Sequence, residues 1–141
     1  MTARSLFLAA FGAAALAGCT APLRDAATPD GGAVLALDES ANGRAVQLAV
    51  GQRVTVTLDS NPSTGYAWVL ADSVGGALAR DGAPVYTQRP AEPGMVGVGG
   101  EQVWTFRAAR AGTGTLRLTY GRSFEPDAEP AETFTAPVVV R

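Results

Sequence analysis

The chain has no histidine, no lysine and a single cysteine among its 141 residues. Without histidine it lacks the commonest general base and the commonest metal ligand. A serine nucleophile at Ser63, Ser73 or Ser123 would lack its usual activating base, because neither histidine nor lysine is present. The single cysteine, Cys19, leaves the folded part to be held together by its core alone. These absences argue against an enzyme, and we expect no cofactor.

Clusters of one charge are also scarce. Every cation is an arginine and the arginines are scattered singly, so the basic surface that nucleic acid requires is missing. One stretch near the C-terminus does group four carboxylates, at Glu125, Asp127, Glu129 and Glu132. They offer oxygen ligands for a hard cation, but Pro126 and Pro130 impose a stiffness that calcium loops seldom have. We therefore favour a solvated loop over a metal site.

Residues 1–18 have the composition of a targeting segment. Arg4 supplies a positive start, and the apolar run Leu6–Leu16 has the length of a signal-peptide core and is too short to span a bilayer. The run ends in Leu16-Ala17-Gly18-Cys19, which looks like a bacterial lipobox, in which the cysteine is diacylated and the chain is cut just before it. An ordinary signal peptide with a chance cysteine is the alternative. The pattern predicts a bacterial envelope protein anchored to the membrane through Cys19, and Thr20 favours the outer membrane.

The rest of the chain divides into a spacer and one domain. Residues 19–33 are mainly Ala, Pro, Thr, Asp and Gly with little to bury, so we expect a flexible tether. Residues 34–141 then form a single domain, since the roughly 120 residues after the signal segment suit one core. We expect this domain to be a monomer.

Alternating apolar residues predict short strands throughout this domain. The apolar face of each strand is read directly from the sequence: Val54, Val56 and Leu58; Trp104, Phe106 and Ala108; Leu116, Leu118 and Tyr120; Phe134, Ala136, Val138 and Val140. Further strands are expected at Val34–Leu37, Ala45–Val50, Ala67–Leu70 and Val85–Arg89. About seven strands, frequent turn signals and no helical periodicity predict an all-β, immunoglobulin-like antiparallel β-sandwich.

Turn residues indicate how the strands connect. Asn42-Gly43 is a strong hairpin signal between the first two strands, although a longer loop also fits. Gly112 and Gly114 predict a tight reversal. Three longer loops rich in Gly and Pro occupy residues 61–66, 90–100 and 121–131, here called the first, second and third loops. Since chain direction alternates between strands, these loops should meet at one end of the sandwich and form a binding surface.

The first loop has residues that pre-set its shape. Pro62 restricts its own φ to about −65° and biases Asn61 towards an extended conformation, while Gly65 can adopt a positive φ without a Cβ penalty. An ordinary connecting turn would use the same residue types. Phe124 stands alone in the polar third loop and is a candidate exposed anchor, whereas Trp68 and Trp104 lie on strands and are expected in the core.

With these loops located, the sequence resembles the chagasin family of cysteine-protease inhibitors over about residues 34–141. The family motif Asn-Pro-(Thr/Ser)-Thr-Gly-(Tyr/Phe), with a Trp two residues on, is matched by residues 61–66 and Trp68. A Gly-x-Gly-Gly stretch before a Trp-x-Phe strand is matched by residues 97–100 and 104–106.

The third family motif, Arg-Pro-Trp after a strand-ending Tyr, is only partly kept. Tyr120 and Arg122 match, whereas Ser123 replaces Pro and Phe124 replaces Trp. Phe124 has less area than Trp and no indole donor, and loss of Pro leaves the loop less ordered beforehand. The third loop therefore departs from the family pattern at the two positions that follow Arg122.

The resemblance implies an immunoglobulin-like fold and reversible inhibition of papain-like proteases. The first loop would enter the active-site cleft near the catalytic thiol, with Ser63 and Thr64 at its apex, and the other two loops would clamp either side. The implied protease contacts are Asn61, Pro62, Ser63, Thr64, Gly65, Tyr66, Gly97, Val98, Gly99, Gly100, Arg122 and Phe124. The alternative is an envelope module that binds another protein or a glycan through the same loops without inhibiting a protease.

Overall fold

The computed structural model describes residues 32–141. The predicted signal peptide, the predicted lipidation site Cys19 and the predicted tether up to residue 31 lie outside the described residues. Within the described part, the chain forms nine strands and two short 3-10 helices. No helix in this part is long and apolar enough to cross a membrane.

The strands form two sheets that pack face to face. In chain order they are β1 (Val34–Leu37), β2 (Val46–Leu48), β3 (Arg53–Ser60), β4 (Tyr66–Ser73), β5 (Leu78–Arg80), β6 (Val85–Gln88), β7 (Gly100–Ala108), β8 (Gly112–Arg122) and β9 (Glu132–Val140). One sheet has the order β1-β3-β7-β5, with β6 also pairing with β7, and the other has the order β2-β9-β8-β4. The predicted immunoglobulin-like sandwich is confirmed.

The core consists of the inward-facing residues that alternation predicted. Val54, Val56 and Leu58 on β3 are buried, and so are Trp104 and Phe106 on β7. The alternate residues of β8 and β9 face them from the second sheet, with Leu116, Leu118, Phe134, Ala136, Val138 and Val140 buried. Since burial of apolar area is the main favourable term in folding, these two faces supply most of the stabilisation of the domain.

The Asn42-Gly43 hairpin prediction is wrong. β1 pairs in parallel with β3, and β2 pairs in parallel with β9, so the first two strands lie in different sheets. Between them lies the 3-10 helix Glu39–Ala41. The Asn42 side chain is used across the sandwich edge, where its Oδ1 accepts a hydrogen bond of 2.9 Å from the Thr135 amide. The segment therefore crosses from one sheet to the other instead of reversing.

The predicted reversal at Gly112 and Gly114 is also misplaced. Both glycines belong to β8 and pair with Val140 and Val138 on β9, so the chain reverses before them, at residues 109–111. A Cβ on Gly114 would lie 3.2 Å from Cα of Val74. Glycine is needed there because the backbone between β4 and β5 approaches closely, not because the chain turns.

Strand direction places the three long loops at one end of the sandwich. The structure bounds them at residues 61–65, 89–99 and 123–131, and we call this end the loop pole. At the other end, the 74–77 connection meets the 109–111 turn, where the Ala109 amide donates to the Ala77 carbonyl over 2.8 Å. The irregular sequence is thus concentrated at the loop pole, as predicted.

Candidate functional site

The first loop is a single 3-10 turn closed by a left-handed glycine. Pro62–Thr64 form the turn, and Gly65 follows with φ +82°. The Gly65 amide donates to the Pro62 carbonyl over 2.9 Å, and the Thr64 amide donates to the Asn61 carbonyl over 3.1 Å. The Thr64 hydroxyl donates to the same carbonyl over 2.6 Å. Pro62, Ser63 and Thr64 are exposed at the apex, so a closed and hydrogen-bonded loop is presented to solvent.

Asn61 joins this loop to its neighbours. Its Nδ2 donates to the Gly97 carbonyl of the second loop over 2.9 Å. Its Oδ1 accepts from the Ser63 hydroxyl over 2.5 Å, and its backbone amide donates to the Tyr120 hydroxyl over 2.9 Å. One residue therefore connects the first loop, the second loop and strand β8. The sequence marked Asn61 as a contact residue but gave no sign of this connecting role.

The glycines at the end of the second loop and at the start of β7 allow close backbone packing. A Cβ on Gly99 would lie 3.2 Å from the Ser60 carbonyl oxygen, and one on Gly100 would lie 2.1 Å from the Thr87 carbonyl oxygen. Gly97 has φ +72° and lies next to the Ser63 side chain. These glycines hold the second loop against the first loop and against β6, so they shape the site from behind.

The exposed apolar residues of the second loop are not those the sequence singled out. Val98 is half-buried, and its carbonyl accepts from Gln88 Nε2 over 3.3 Å. Val96 is 94% exposed and Met95 is 60% exposed. The sequence did contain a signal for their exposure. Both residues are apolar and lie in a stretch rich in Gly and Pro, where no strand alternation would bury them. Met95 and Val96 therefore join the candidate contact residues.

Phe124 at the start of the third loop and Arg122 at the end of β8 lie beside the first loop. Phe124 is 66% exposed, but its ring is not free, because a Cβ on Gly65 would lie 3.1 Å from its Cε1. The Arg122 guanidinium carbon lies 4.9 Å from the centroid of the Tyr66 ring and 5.8 Å from that of Phe124. Arg122 Nη1 is also 3.4 Å from Glu125 Oε2. The third loop thus contacts the first loop.

Below the loops, a buried glutamine ties the two sheets together. Gln102 on β7 accepts from the Trp68 amide over 3.2 Å and donates to the Trp68 carbonyl over 3.3 Å. Its Oε1 also accepts from the Ser60 hydroxyl over 3.4 Å. Trp68 is buried, as predicted, and its Nε1 donates to the Asp59 carbonyl over 2.8 Å. The strands on either side of the first loop are therefore held in place, although nothing in the sequence distinguished Gln102.

The arrangement offers shape and hydrogen bonds but no catalytic chemistry. The hydroxyls of Ser63 and Thr64 both donate to Asn61, and no imidazole is available because the chain has no histidine. Among residues 32–141, no three Asp, Glu, His or Cys side chains come together in a way that would hold a metal ion. The pKa of the Asp38 carboxyl is lowered by hydrogen bonds from Ser40, and this carboxyl lies outside the loop pole. The loop pole can therefore bind a partner, and the shape of its loops determines which partner fits.

Comparison with known proteins gives a consistent result. Residues 47–138 match the model of the family described as "Chagasin family peptidase inhibitor I42". Chagasin of Trypanosoma cruzi is 32% identical over 98 residues, which cover 67% of this chain and 86% of that protein. Amoebiasin-1 of Entamoeba histolytica is 32% identical over 107 residues, which cover 76% of this chain and 100% of that protein.

Solved structures agree with the sequence relatives. The crystal structure of a cysteine protease inhibitor from Entamoeba histolytica superposes with a TM-score of 0.67 at 27% identity, covering 77% of this chain and 96% of that one. The solution structure of Amebosin gives a TM-score of 0.64 at 31% identity, covering 78% of this chain and 100% of that one. The resemblance inferred from the loop motifs is confirmed.

Proposed function

Because this chain belongs to the chagasin family of peptidase inhibitors, we propose that it inhibits papain-like cysteine proteases reversibly through its loop pole. The observation that carries the proposal is the joining of the loops into one unit. Asn61 binds the second loop through Gly97, and Phe124 of the third loop packs against Gly65. A solved relative is itself described as a cysteine protease inhibitor. The family consists of inhibitors, not enzymes.

Inhibition by this surface works by occlusion. The apex at Pro62–Thr64 enters the cleft and covers the catalytic thiol, while the exposed Val96 and Phe124 contact the walls on either side. The apex is already closed by hydrogen bonds in the free protein, so binding costs little conformational entropy. The 3-10 turn also keeps the loop backbone out of the extended form that a substrate adopts, so the inhibitor is not turned over.

A titration of papain tests this proposal. Residues 20–141, produced without lipid, should reduce papain activity to zero at one equivalent and leave trypsin, a serine protease, unaffected. The inhibitor should be recovered intact after the complex dissociates. Papain that stays fully active, a covalent adduct, or progressive cleavage between Ser63 and Gly65 would each contradict occlusion.

We further propose that Cys19 is lipidated and that the anchor leaves the loop pole facing away from the membrane. The lipobox-like sequence supports the first part. Strand topology supports the second, since Val34 at the start of β1 pairs with Arg53, whereas the first loop follows Ser60 at the far end of β3. The chain thus enters the domain at the pole opposite the loops. The proposed location is the bacterial envelope, with Thr20 favouring the outer membrane.

Two measurements test the anchor. Intact mass of the native protein should show a mature chain starting at acylated Cys19 and firm membrane association. Deleting residues 22–31 should leave papain inhibition by vesicle-bound protein within about twofold of the undeleted protein, since the loops already point outwards. A mature protein without acyl mass would refute lipidation, and strong loss of inhibition on deletion would refute the orientation.

A further inference from the structure

Arg122 lies where the first and third loops come closest. It is the last residue of β8 and pairs directly with Tyr66, the first residue of β4. Its guanidinium lies over the Tyr66 ring at 4.9 Å from the centroid and within 5.8 Å of the Phe124 centroid. A guanidinium within about 6 Å of an aromatic centroid is attracted by the ring. Arg122 therefore interacts with one aromatic ring from each side of the junction.

The Phe124 ring in turn lies on the backbone of the first loop. Cε1 of Phe124 comes within 3.1 Å of the position that a Gly65 Cβ would occupy. Gly65 is the left-handed residue at which the first loop turns back into β4. The contact of the Phe124 ring with Gly65 therefore supports the first loop at the residue that determines its conformation.

Glu125 limits the directions that Arg122 can take. Its carboxylate lies 3.4 Å from Arg122 Nη1, one turn further along the third loop. An exposed pair of this kind adds little stability by itself. Together with the two rings, however, it gives the guanidinium three neighbours within the protein, which restrict its orientation.

We propose that Arg122 is a positioning residue that holds Phe124 against Gly65 and so fixes the first loop from the side of the third. The part concerning inhibition rests on the proposed function. Arg122 acts through the shape of the apex and not through its own contact with a protease. The partial loss of the family motif fits this role: Ser123 replaces the stiffening proline, so the third loop is held by side-chain contacts with Arg122 instead.

The first test uses the free protein and requires no protease. In nuclear magnetic resonance spectra, the Phe124 ring current should displace the Gly65 amide and α-proton resonances. Arg122→Gln should move these resonances towards their values in Phe124→Ala, and Arg122→Lys should move them less, since a cation is kept. The control is Arg117→Gln, which alters another exposed arginine of β8 and should leave Gly65 unchanged. Unchanged Gly65 resonances in Arg122→Gln would overturn the proposal.

The second test is a double-mutant cycle with papain. Arg122→Gln alone should raise the inhibition constant several-fold, and in a Phe124→Ala background it should have less than half that effect on a logarithmic scale. Equal effects in both backgrounds would mean that Arg122 contacts the protease directly, which contradicts positioning. If the wild-type protein failed to inhibit papain, the proposed function would fall while the resonance test still decided the role of Arg122.

Discussion

Gly65 meets two constraints that no other residue type satisfies together. Its φ of +82° is strained for residues with a Cβ. A Cβ at this position would also lie only 3.1 Å from Cε1 of the Phe124 ring. Thr64 beside it is different, because its hydroxyl closes the loop internally by donating to the Asn61 carbonyl. The two neighbours therefore support the apex by separate means, backbone conformation and a side-chain hydrogen bond.

Substitution at these two positions should weaken inhibition unequally. Thr64→Ala removes one hydrogen bond, worth about 1 kcal/mol, and should raise the inhibition constant several-fold. Gly65→Val should cost more, because strain of roughly 1 to 3 kcal/mol is added to the clash with Phe124. Papain inhibition constants for both variants check this order. A Gly65→Val variant that inhibits as well as the wild type would contradict a pre-set apex.

Phe124 and Trp104 should respond in opposite ways to truncation. Phe124 is mostly exposed, so Phe124→Ala should cost more than about 1 kcal/mol in binding while the unfolding midpoint changes little. Trp104 is buried and stacks on Phe106 with centroids 6.1 Å apart, so Trp104→Ala should destabilise the fold by roughly 3 to 5 kcal/mol. Chemical denaturation and papain titration separate the two. Loss of stability without loss of inhibition in Phe124→Ala would make Phe124 a core residue.

The sequence indicated the conformation of single residues better than their contacts. The positive φ of Gly65 followed from its place after Asn-Pro-Ser-Thr, and alternation correctly put Trp68 and Trp104 in the core. The sequence marked Phe124 as an exposed anchor but gave no sign that its ring lies against Gly65. Its approach to Gly65 depends on the pairing of β4 with β8, a contact between residues 59 positions apart that no local pattern encodes.

At the scale of structural elements, the site is a junction of loops that Asn61 holds together. The Asn61 side chain bonds to Gly97 in the second loop and to Ser63 in its own loop. Asn42 provides a comparison away from the loop pole. Its side-chain amide forms hydrogen bonds with the Thr133 carbonyl and the Thr135 backbone amide of β9. Each asparagine joins segments far apart in sequence, but only Asn61 joins loops of the loop pole.

Asn61→Ala should raise the papain inhibition constant about tenfold, because loss of two hydrogen bonds frees the first loop from the second. Asn42→Ala should lower the unfolding free energy by about 1.4 kcal/mol, the free-energy equivalent of a tenfold change, and should leave the papain inhibition constant within about twofold of the wild-type value. Inhibition kinetics and denaturation on both variants make the comparison. Equal loss of inhibition in both would show that the effect comes from general stability.

The contact of β6 with β7 depends on Gly100. A Cβ there would lie 2.1 Å from the Thr87 carbonyl oxygen and 2.7 Å from Gln88 Cα, so backbone must move. Gly100→Ala should lower the unfolding free energy by about 1 to 3 kcal/mol as an overpacked site. Gly121→Ala is the control, because no atom lies within 4 Å of its Cβ position, and it should change stability by about 0.5 kcal/mol or less. Denaturant unfolding of both variants measures these changes, and equal stability of the two variants would contradict the tight contact at Gly100.

Strands that depend on alternation were predicted well, whereas two connections inferred from glycine were not. The apolar faces of β3, β7, β8 and β9 matched the sequence pattern because a half-buried strand requires that pattern. Asn42-Gly43 and Gly112 to Gly114 were interpreted as turns, but the first crosses between sheets and the second packs against Val74. A glycine that permits close approach has the same local sequence as one that permits a turn.

At the scale of the whole molecule, the sandwich separates the loop pole from both ends of its described strands. β1 begins and β9 ends at the pole opposite the first loop, as the pairing of Val34 with Arg53 and of Val140 with Gly112 requires. The described strands therefore begin and end on the side of the domain away from the three loops. The rigid two-sheet scaffold carries the loops as one body, so a partner meets a surface formed before contact.

Calorimetric titration against papain in two forms tests the central claim, that the loop pole fills the active-site cleft. One sample is free papain and the other is papain whose cleft is filled by a small covalent inhibitor attached to its thiol. Residues 20–141 should bind free papain at one to one and should lose nearly all affinity for the filled form. Equal affinity for both forms would place the contact outside the cleft and contradict occlusion.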